Sequence, residues 1–343
     1  MNEDKSITFI IPAHNAEKYL ERAVQSITMQ NMYGFNREVI IVENGSLDDT
    51  WNVAQKLAVQ NECVKVCKSE PGVSFARNKG LEAASGSWIA FVDADDYLLS
   101  NSLNKMFRDV TGDYADLFIY GHEAGNHRRG IAFEKRLYEG VHLEECRIEI
   151  LENPTRYMQV WGKLFRRDII MAHKVCFNTE LFLAEDSDFT LKYCKYCKSI
   201  CFLPDIVYHY STDNVSTMRL YDEKKIYGYI HAMTETGKSV EDDTFEIRHA
   251  YAKYVLMHLN ISMVREVFNN ENKRSFYGKL RQMKKIIHSK VFFDALKSVK
   301  ARECTTVRML PILMMKCHWN VGAGLIYCVR AWQNHRNECA GEK

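Results

Sequence analysis

Ser87-Trp88-Ile89-Ala90-Phe91-Val92-Asp93-Ala94-Asp95-Asp96 joins an apolar run to three carboxylates within four positions. Residues 88–92 have the length and composition of a strand covered on both faces. Carboxylates crowded at its end repel one another and cost stability unless a cation neutralises them. A hard divalent ion held by one or two of them, with phosphate oxygens and water completing its shell, fits this arrangement. A solvated acidic turn in which Asp96 caps a helix also explains it, so the surroundings must decide.

Upstream, residues 7–12, 39–42 and 64–67 are further short apolar runs. Amphipathic stretches lie between them. Tyr19, Leu20, Ala23, Val24 and Ile27 share one helical stripe, with Asn15 as its expected cap. Ser46 and Asp49 have capping-box spacing ahead of Val53, Ala54 and Leu57. Residues 74–84 read as a third helix. This βαβαβαβ rhythm predicts an α/β fold with a mostly parallel sheet flanked by helices. In such sheets ligands bind beyond the carboxyl ends of the strands. Residues 12–15, 43–46 and 93–96 therefore become expected neighbours. Further on, residues 115–121 and 131–138 read as strands, and 125–130 as a loop carrying Asn126, His127, Arg128 and Arg129. From about residue 220 the pattern is helical, interrupted by Pro311. The expected division is 1–220 for the α/β domain and 221–343 for a basic helical region.

With these motifs in view, the chain resembles the family 2 glycosyltransferases of the GT-A fold, a Rossmann-like α/β architecture. Ile10-Ile11-Pro12-Ala13-His14-Asn15 is similar to that family's first nucleotide-binding loop. Val42-Glu43-Asn44-Gly45-Ser46-Leu47-Asp48-Asp49-Thr50 is similar to its second strand end, and Ser74-Phe75-Ala76-Arg77-Asn78-Lys79-Gly80-Leu81 to a helix beside the nucleotide. The stretch 87–96 resembles its metal-binding strand end, and Ala184-Glu185-Asp186-Ser187-Asp188-Phe189 the motif that supplies the base. The resemblance runs from residue 6 to about 217. Glu43-Asn44 stands where Asp-Asp is more usual, and His14 where the family often has tyrosine.

The resemblance implies that Pro12, Ala13, Asn15, Glu43, Asn44, Ser46, Arg77, Asn78, Asp93, Ala94 and Asp95 address a nucleotide-sugar, a UDP-sugar by preference. It implies Mn²⁺ or Mg²⁺ at Asp95, with Asp93 and His209 as further candidate ligands. A metal there would act as a Lewis acid on the leaving diphosphate. Asp186 is the expected general base and Glu185 its neighbour at the catalytic site. Attack from the opposite face implies inversion. Trp161 could stack on a sugar face and Lys163 reach phosphate or acceptor. Residues 214–217 would belong to a loop over the diphosphate. Each has a plainer alternative: a surface ion pair for Arg77, a core ring for Trp161, a structural imidazole for His209, and an acidic helix start for Glu185 and Asp186.

Charge is divided unevenly. Residues 1–245 hold 28 Lys+Arg against 37 Asp+Glu, and residues 246–343 hold 18 against 7. A basic, partly apolar tail, with Leu310, Ile312, Trp319, Leu325 and Trp332 beside Arg308, Lys316 and Arg330, suits an anionic membrane surface. Packing on the catalytic domain or an oligomer contact is the alternative. The tail has no recognised nucleic-acid module, so no nucleic-acid partner is expected. No window of 18 uninterrupted apolar residues exists. Eleven scattered cysteines and a short polar start predict reduced thiols and a cytoplasmic protein, and the basic tail adds a peripheral place on the inner face of the membrane. Cys194, Cys197 and Cys201 are expected on one helical face rather than as a metal site.

The expected partners are a nucleotide-sugar donor and a glycan or lipid-linked acceptor in cell-surface polysaccharide synthesis. One rival is a nucleotidyltransferase, but residues 12–15 lack the glycine-rich, basic phosphate loop that chemistry needs. The other is a non-catalytic nucleotide-sugar-binding or scaffold protein, which would be expected to have lost Asp95 or Asp186.

Overall fold

The computed structural model describes residues 5–31, 35–125, 127–129, 134–211 and 221–341. The chain divides into two compact units, Met1–Asn214 and Val215–Lys343.

The first unit is built on one mixed sheet of ten strands among the described residues. They are β1 (Ser6–Ala13), β2 (Asn36–Glu43), β3 (Val64–Lys68), β4 (Trp88–Phe91), β5 (Tyr97–Leu98), β6 (Leu117–Ala124), β7 (His127–Arg129), β8 (Arg136–Glu139), β9 (Lys163–Arg166) and β10 (Ser199–Tyr210). The main path runs β3-β2-β1-β4-β9-β6-β10-β5. β3, β2, β1 and β4 are parallel neighbours, the half that the βαβ rhythm predicts. β9 then runs antiparallel between β4 and β6, and β10 returns parallel to β6.

Helices cover both faces because the strands are apolar on both. α1 (Leu20–Thr28), α2 (Thr50–Gln60) and α4 (Ser102–Gly112) pack on the face of Ile7, Phe9 and Ile11. α3 (Val73–Ala83) lies on the opposite face, where Ile10 points. A Cβ at Gly80 would stand 2.3 Å from Ile10 Cγ2, so glycine permits this approach. After α5 (His142–Glu152), α6 (Pro154–Tyr157) and α7 (Arg167–His173), α8 (Glu185–Cys194) joins α3 on that second face. Phe189 of α8 stacks on Phe177 at 4.2 Å and meets Phe91 edge-on at 5.7 Å.

Several local expectations change. α1 starts at Leu20 without a side-chain cap, because Asn15, at φ 49°, is turned toward the neighbouring loop. The Ser46/Asp49 capping box does not form. Asp48 instead accepts from Thr50 N at 3.1 Å. Cys194 ends α8 and Cys201 lies in β10, so the three cysteines do not share a helix. The strand expected over 131–138 is seen as β8, and residues 131–133 lie outside the described part. Asn126, Gly130 and the whole of 214–217 also lie outside it.

The second unit is helical: α9 (Lys225–Lys238), α10 (Phe245–Ser262), α11 (Phe276–Ile287), α12 (Lys290–Ser298), α13 (Leu310–Lys316) and α14 (Asn320–Gly341). Thr244 and Ser275 cap α10 and α11 by accepting from Ile247 N and Gly278 N. Pro311 opens α13 rather than interrupting a longer helix, since a first-turn proline forfeits no intrahelical bond. Among the described residues no helix is long and apolar enough to cross a membrane.

Candidate active site

The loops at the carboxyl ends of β1 and β2 are stitched together. Asn44 N donates to the Ala13 carbonyl at 3.1 Å, Asn15 N to Ser46 Oγ at 3.1 Å, and Leu47 N to Asn15 Oδ1 at 2.8 Å. With its amide oriented to satisfy both ends, Asn44 also donates to Ala13 O and accepts from Gly72 N. Glu43 turns back on its own loop and accepts from Ser46 N at 2.5 Å. Burial raises the Glu43 pKa, but the hydrogen bonds from Ser46 outweigh it and hold the group below the usual carboxylate range. Pro12 and Ala13 pair with Val42 and Glu43 across the β1–β2 ladder, so this loop pair is one rigid rim.

β4 brings the acidic run beside that rim, since Val92 N donates to Ile10 O at 3.0 Å. Its three carboxylates have separate surroundings. Asp96 is buried and accepts from Tyr208 Oη at 2.7 Å and Ser211 N at 2.8 Å. Burial, reinforced by Asp93, pushes its pKa up to about 8. Asp93 accepts from Arg77 Nη2 at 3.2 Å, and its own N–H donates to Tyr208 Oη. Ala94 is buried between them, and Asp95 is half-buried with its carbonyl held by Arg22 Nη2 at 2.5 Å.

Arg77 is the centre of the site. Although on α3, it is buried, and its guanidinium lies 5.2 Å from the centre of the Phe177 ring. It bridges three carboxylates: Asp93, Glu185 at 3.3 Å and Asp186 at 2.5 Å. Asp93 lies 16 positions from Arg77 in the sequence, but Glu185 and Asp186 lie 108 and 109 away. α8 delivers Glu185 and Asp186 from its first turn, just after Ala184 at φ 58°. There the helix dipole favours negative charge. Burial and the adjacent Asp186 nevertheless raise Glu185 to about 7, against the pull of Arg77. Burial raises Asp93 to about 6 in the same way. The three carboxylates together outweigh burial at Arg77 and keep it firmly protonated.

The other expected residues have partners of their own. Asn78 clamps both backbone groups of Phe177, at 2.9 and 2.8 Å, and so fixes the segment under Arg77. Trp161 stacks on Tyr208 at 4.6 Å and on Tyr210 at 5.8 Å, partly buried. Lys163 is buried and donates to Gln159 O at 2.5 Å, with burial lowering its pKa to about 7. His209 pairs with Glu123 at 2.9 Å and stacks on Tyr97 at 4.3 Å. Among the described residues no three His, Cys, Asp or Glu side chains gather to hold a metal ion by themselves.

The residue pattern did not reveal Tyr208 as the link between Asp93 and Asp96, or Arg22 as the anchor of the Asp95 carbonyl and Ser211 Oγ. A register shift in β10 just before Tyr208 aims this ring, and a bulge has no sequence signal beyond nearby Pro204.

Residues 8–172 match the family model described as Glycosyl transferase family 2. The chain is 28% identical over 323 residues to EpsH of Bacillus subtilis (strain 168), covering 92% of each. It is 25% identical over 242 residues to the poly(ribitol-phosphate) beta-N-acetylglucosaminyltransferase TarP of Staphylococcus aureus (strain N315), covering 69% of this chain and 72% of that one. In fold it is similar to S. aureus TarS 1-349, solved with UDP-GlcNAc, with a TM-score of 0.68 at 21% identity over 96% of this chain and 92% of that one. The GT-A sheet, the match over residues 8–172 and these relatives together show a glycosyltransferase similar to glycosyl transferase family 2.

Proposed function

We propose that the chain transfers a sugar, with inversion and assisted by Mn²⁺ or Mg²⁺, from a UDP-sugar to a hydroxyl of a glycan or lipid-linked glycan in cell-surface polysaccharide synthesis. It would work in the cytoplasm, peripherally on the inner face of the membrane. The observation that carries this is the convergence of Asp93, Glu185 and Asp186 on buried Arg77 at the carboxyl end of β4. TarP and TarS carry beta-N-acetylglucosaminyltransferase in their names, and TarS binds UDP-GlcNAc in its structure, which supports the donor class and a β-linked product.

The donor set suits a hard ion. Asp95 and Asp93 offer carboxylate oxygens two positions apart at a strand end, and Mg²⁺-type sites take one or two carboxylates with donor phosphates and water. His209, engaged by Glu123 and Tyr97, is not needed in that shell. Bound there, the ion would stabilise negative charge on the departing diphosphate. The chain's own residues do the rest. Asp186 takes the acceptor proton, and Arg77 holds its carboxylate in one orientation. The stitched rim of Ala13, Asn15, Asn44 and Ser46 presents a preformed surface to the nucleotide.

Thermal stabilisation by UDP-GlcNAc, with and without Mn²⁺, tests the donor site. Metal-dependent stabilisation that Asp95→Ala removes is the expected result, as is transfer at least about 10²-fold slower in Asp186→Asn with donor binding retained. Transfer that survives Asp186→Asn, or stabilisation indifferent to metal and to Asp95, would overturn the assignment.

A further inference from the structure

α14 carries an apolar stripe that the described residues of its own unit leave exposed. Val321, Leu325, Val329 and Trp332 are 49–54% exposed. At 100° per residue they fall within about 80° of one another. The opposite side is what holds the helix to its unit: Ala323, Tyr327 and Ala331 are buried, and Tyr327 Oη donates to Asn260 Oδ1 at 2.6 Å. Trp319, 59% exposed, folds against Gly322 at the start of the helix. Two indoles thus bracket three aliphatic side chains over about 20 Å.

The stretch of chain that carries this stripe is cationic. From residue 304 to residue 337 there is no Asp or Glu, while Arg308, Lys316, Arg330 and Arg336 are present. Arg336 lies 5.6 Å from the Trp332 ring centre, on the stripe's own side. Arg330 donates to the carbonyls of Val307 and Arg308, which ties the exposed Val307 turn to the middle of the helix. Indoles at both ends and a cationic stretch of chain match the boundary of an anionic bilayer, where tryptophan sits at headgroup depth.

We infer that the α14 face, from Trp319 to Trp332, is the surface on which this chain docks on an anionic membrane, lying in the interface without crossing it. The inference rests on the proposed membrane-side location and specifies the side chains and lipid class responsible.

The full chain is tested by flotation with phosphatidylcholine vesicles, alone and with about one-third phosphatidylglycerol, at low and high salt. The expected result is binding to the anionic vesicles, weakened by salt, and at least about tenfold weaker in Leu325→Asp/Val329→Asp. Trp332→Gln, which adds no charge, should weaken it several-fold, and circular dichroism checks that both variants fold. Failure to bind either vesicle, or binding unchanged in both variants, overturns the inference. Self-association of the wild type that the double variant abolishes, without vesicle binding, also overturns it and gives the face to a second copy. UDP-GlcNAc stabilisation is measured on the same samples. If it persists while vesicle binding fails, only the docking surface falls; if it fails while vesicles bind, only the transferase assignment does.

Discussion

Replacing Arg77 by methionine keeps much of the side-chain volume and removes the charge that three carboxylates share. Removing one partner of a buried ion pair costs about 3–5 kcal/mol. Here Asp93, Glu185 and Asp186 keep 17–29% of their side-chain surface, so water and protonation relieve part of that cost. At pH 8 the expected loss is about 2–4 kcal/mol. The pH dependence is the sharper test. Asp93 and Glu185 are raised in the folded protein to about 6 and about 7. The folded state therefore binds more protons than the unfolded state between about pH 4 and 7, and wild-type stability from these groups falls as pH rises through that window. Without Arg77, which opposes both shifts, the two groups titrate higher still. The gap between variant and wild type should then widen from pH 5.5 to pH 8 by at least about 1.4 kcal/mol, one pKa unit's worth. Urea unfolding followed by circular dichroism at the two pH values reads this directly. An equal penalty at both, or none, would refute the shared-charge argument.

Asp96→Ala should destabilise the first unit by about 1–3 kcal/mol, because the Tyr208 hydroxyl and Ser211 amide lose a buried acceptor. Asp96→Asn should recover most of that at pH 7, since burial already keeps this carboxyl largely protonated there; a urea midpoint for Asn as low as for Ala would contradict it. Gly80→Ala places a methyl where Ile10 Cγ2 stands and should cost about 1–3 kcal/mol, read as a lower melting temperature; an unchanged melting point would mean that α3 is free to move away from β1.

Much of the first unit follows from patterns within ten or twenty residues. The apolar runs at 7–12, 39–42 and 88–92 must be buried on both faces, and amphipathic stretches of helical length must lie between them. Parallel pairing and ligand-facing loops at the carboxyl ends follow from that order alone. The acidic run 93–96 and the pair Glu185–Asp186 were legible for the same reason, since their chemistry is contiguous in the chain.

Relations across long separations were not legible. Nothing near Arg77 in the chain says that a helix arginine will be buried against carboxylates more than a hundred residues away. Nothing near Lys163 says that its amine will be spent on a carbonyl four residues back. The three adjacent aspartates look interchangeable as letters, yet folding divides them: Asp96 turns into the core, Asp93 meets Arg77, and Asp95 stays half-buried at the rim. Periodicity and composition, which are local, specified the elements and the kind of ligand they suit. Burial, charge sharing and the fate of each donor and acceptor depend on which elements pack together, and the fold alone assigns them.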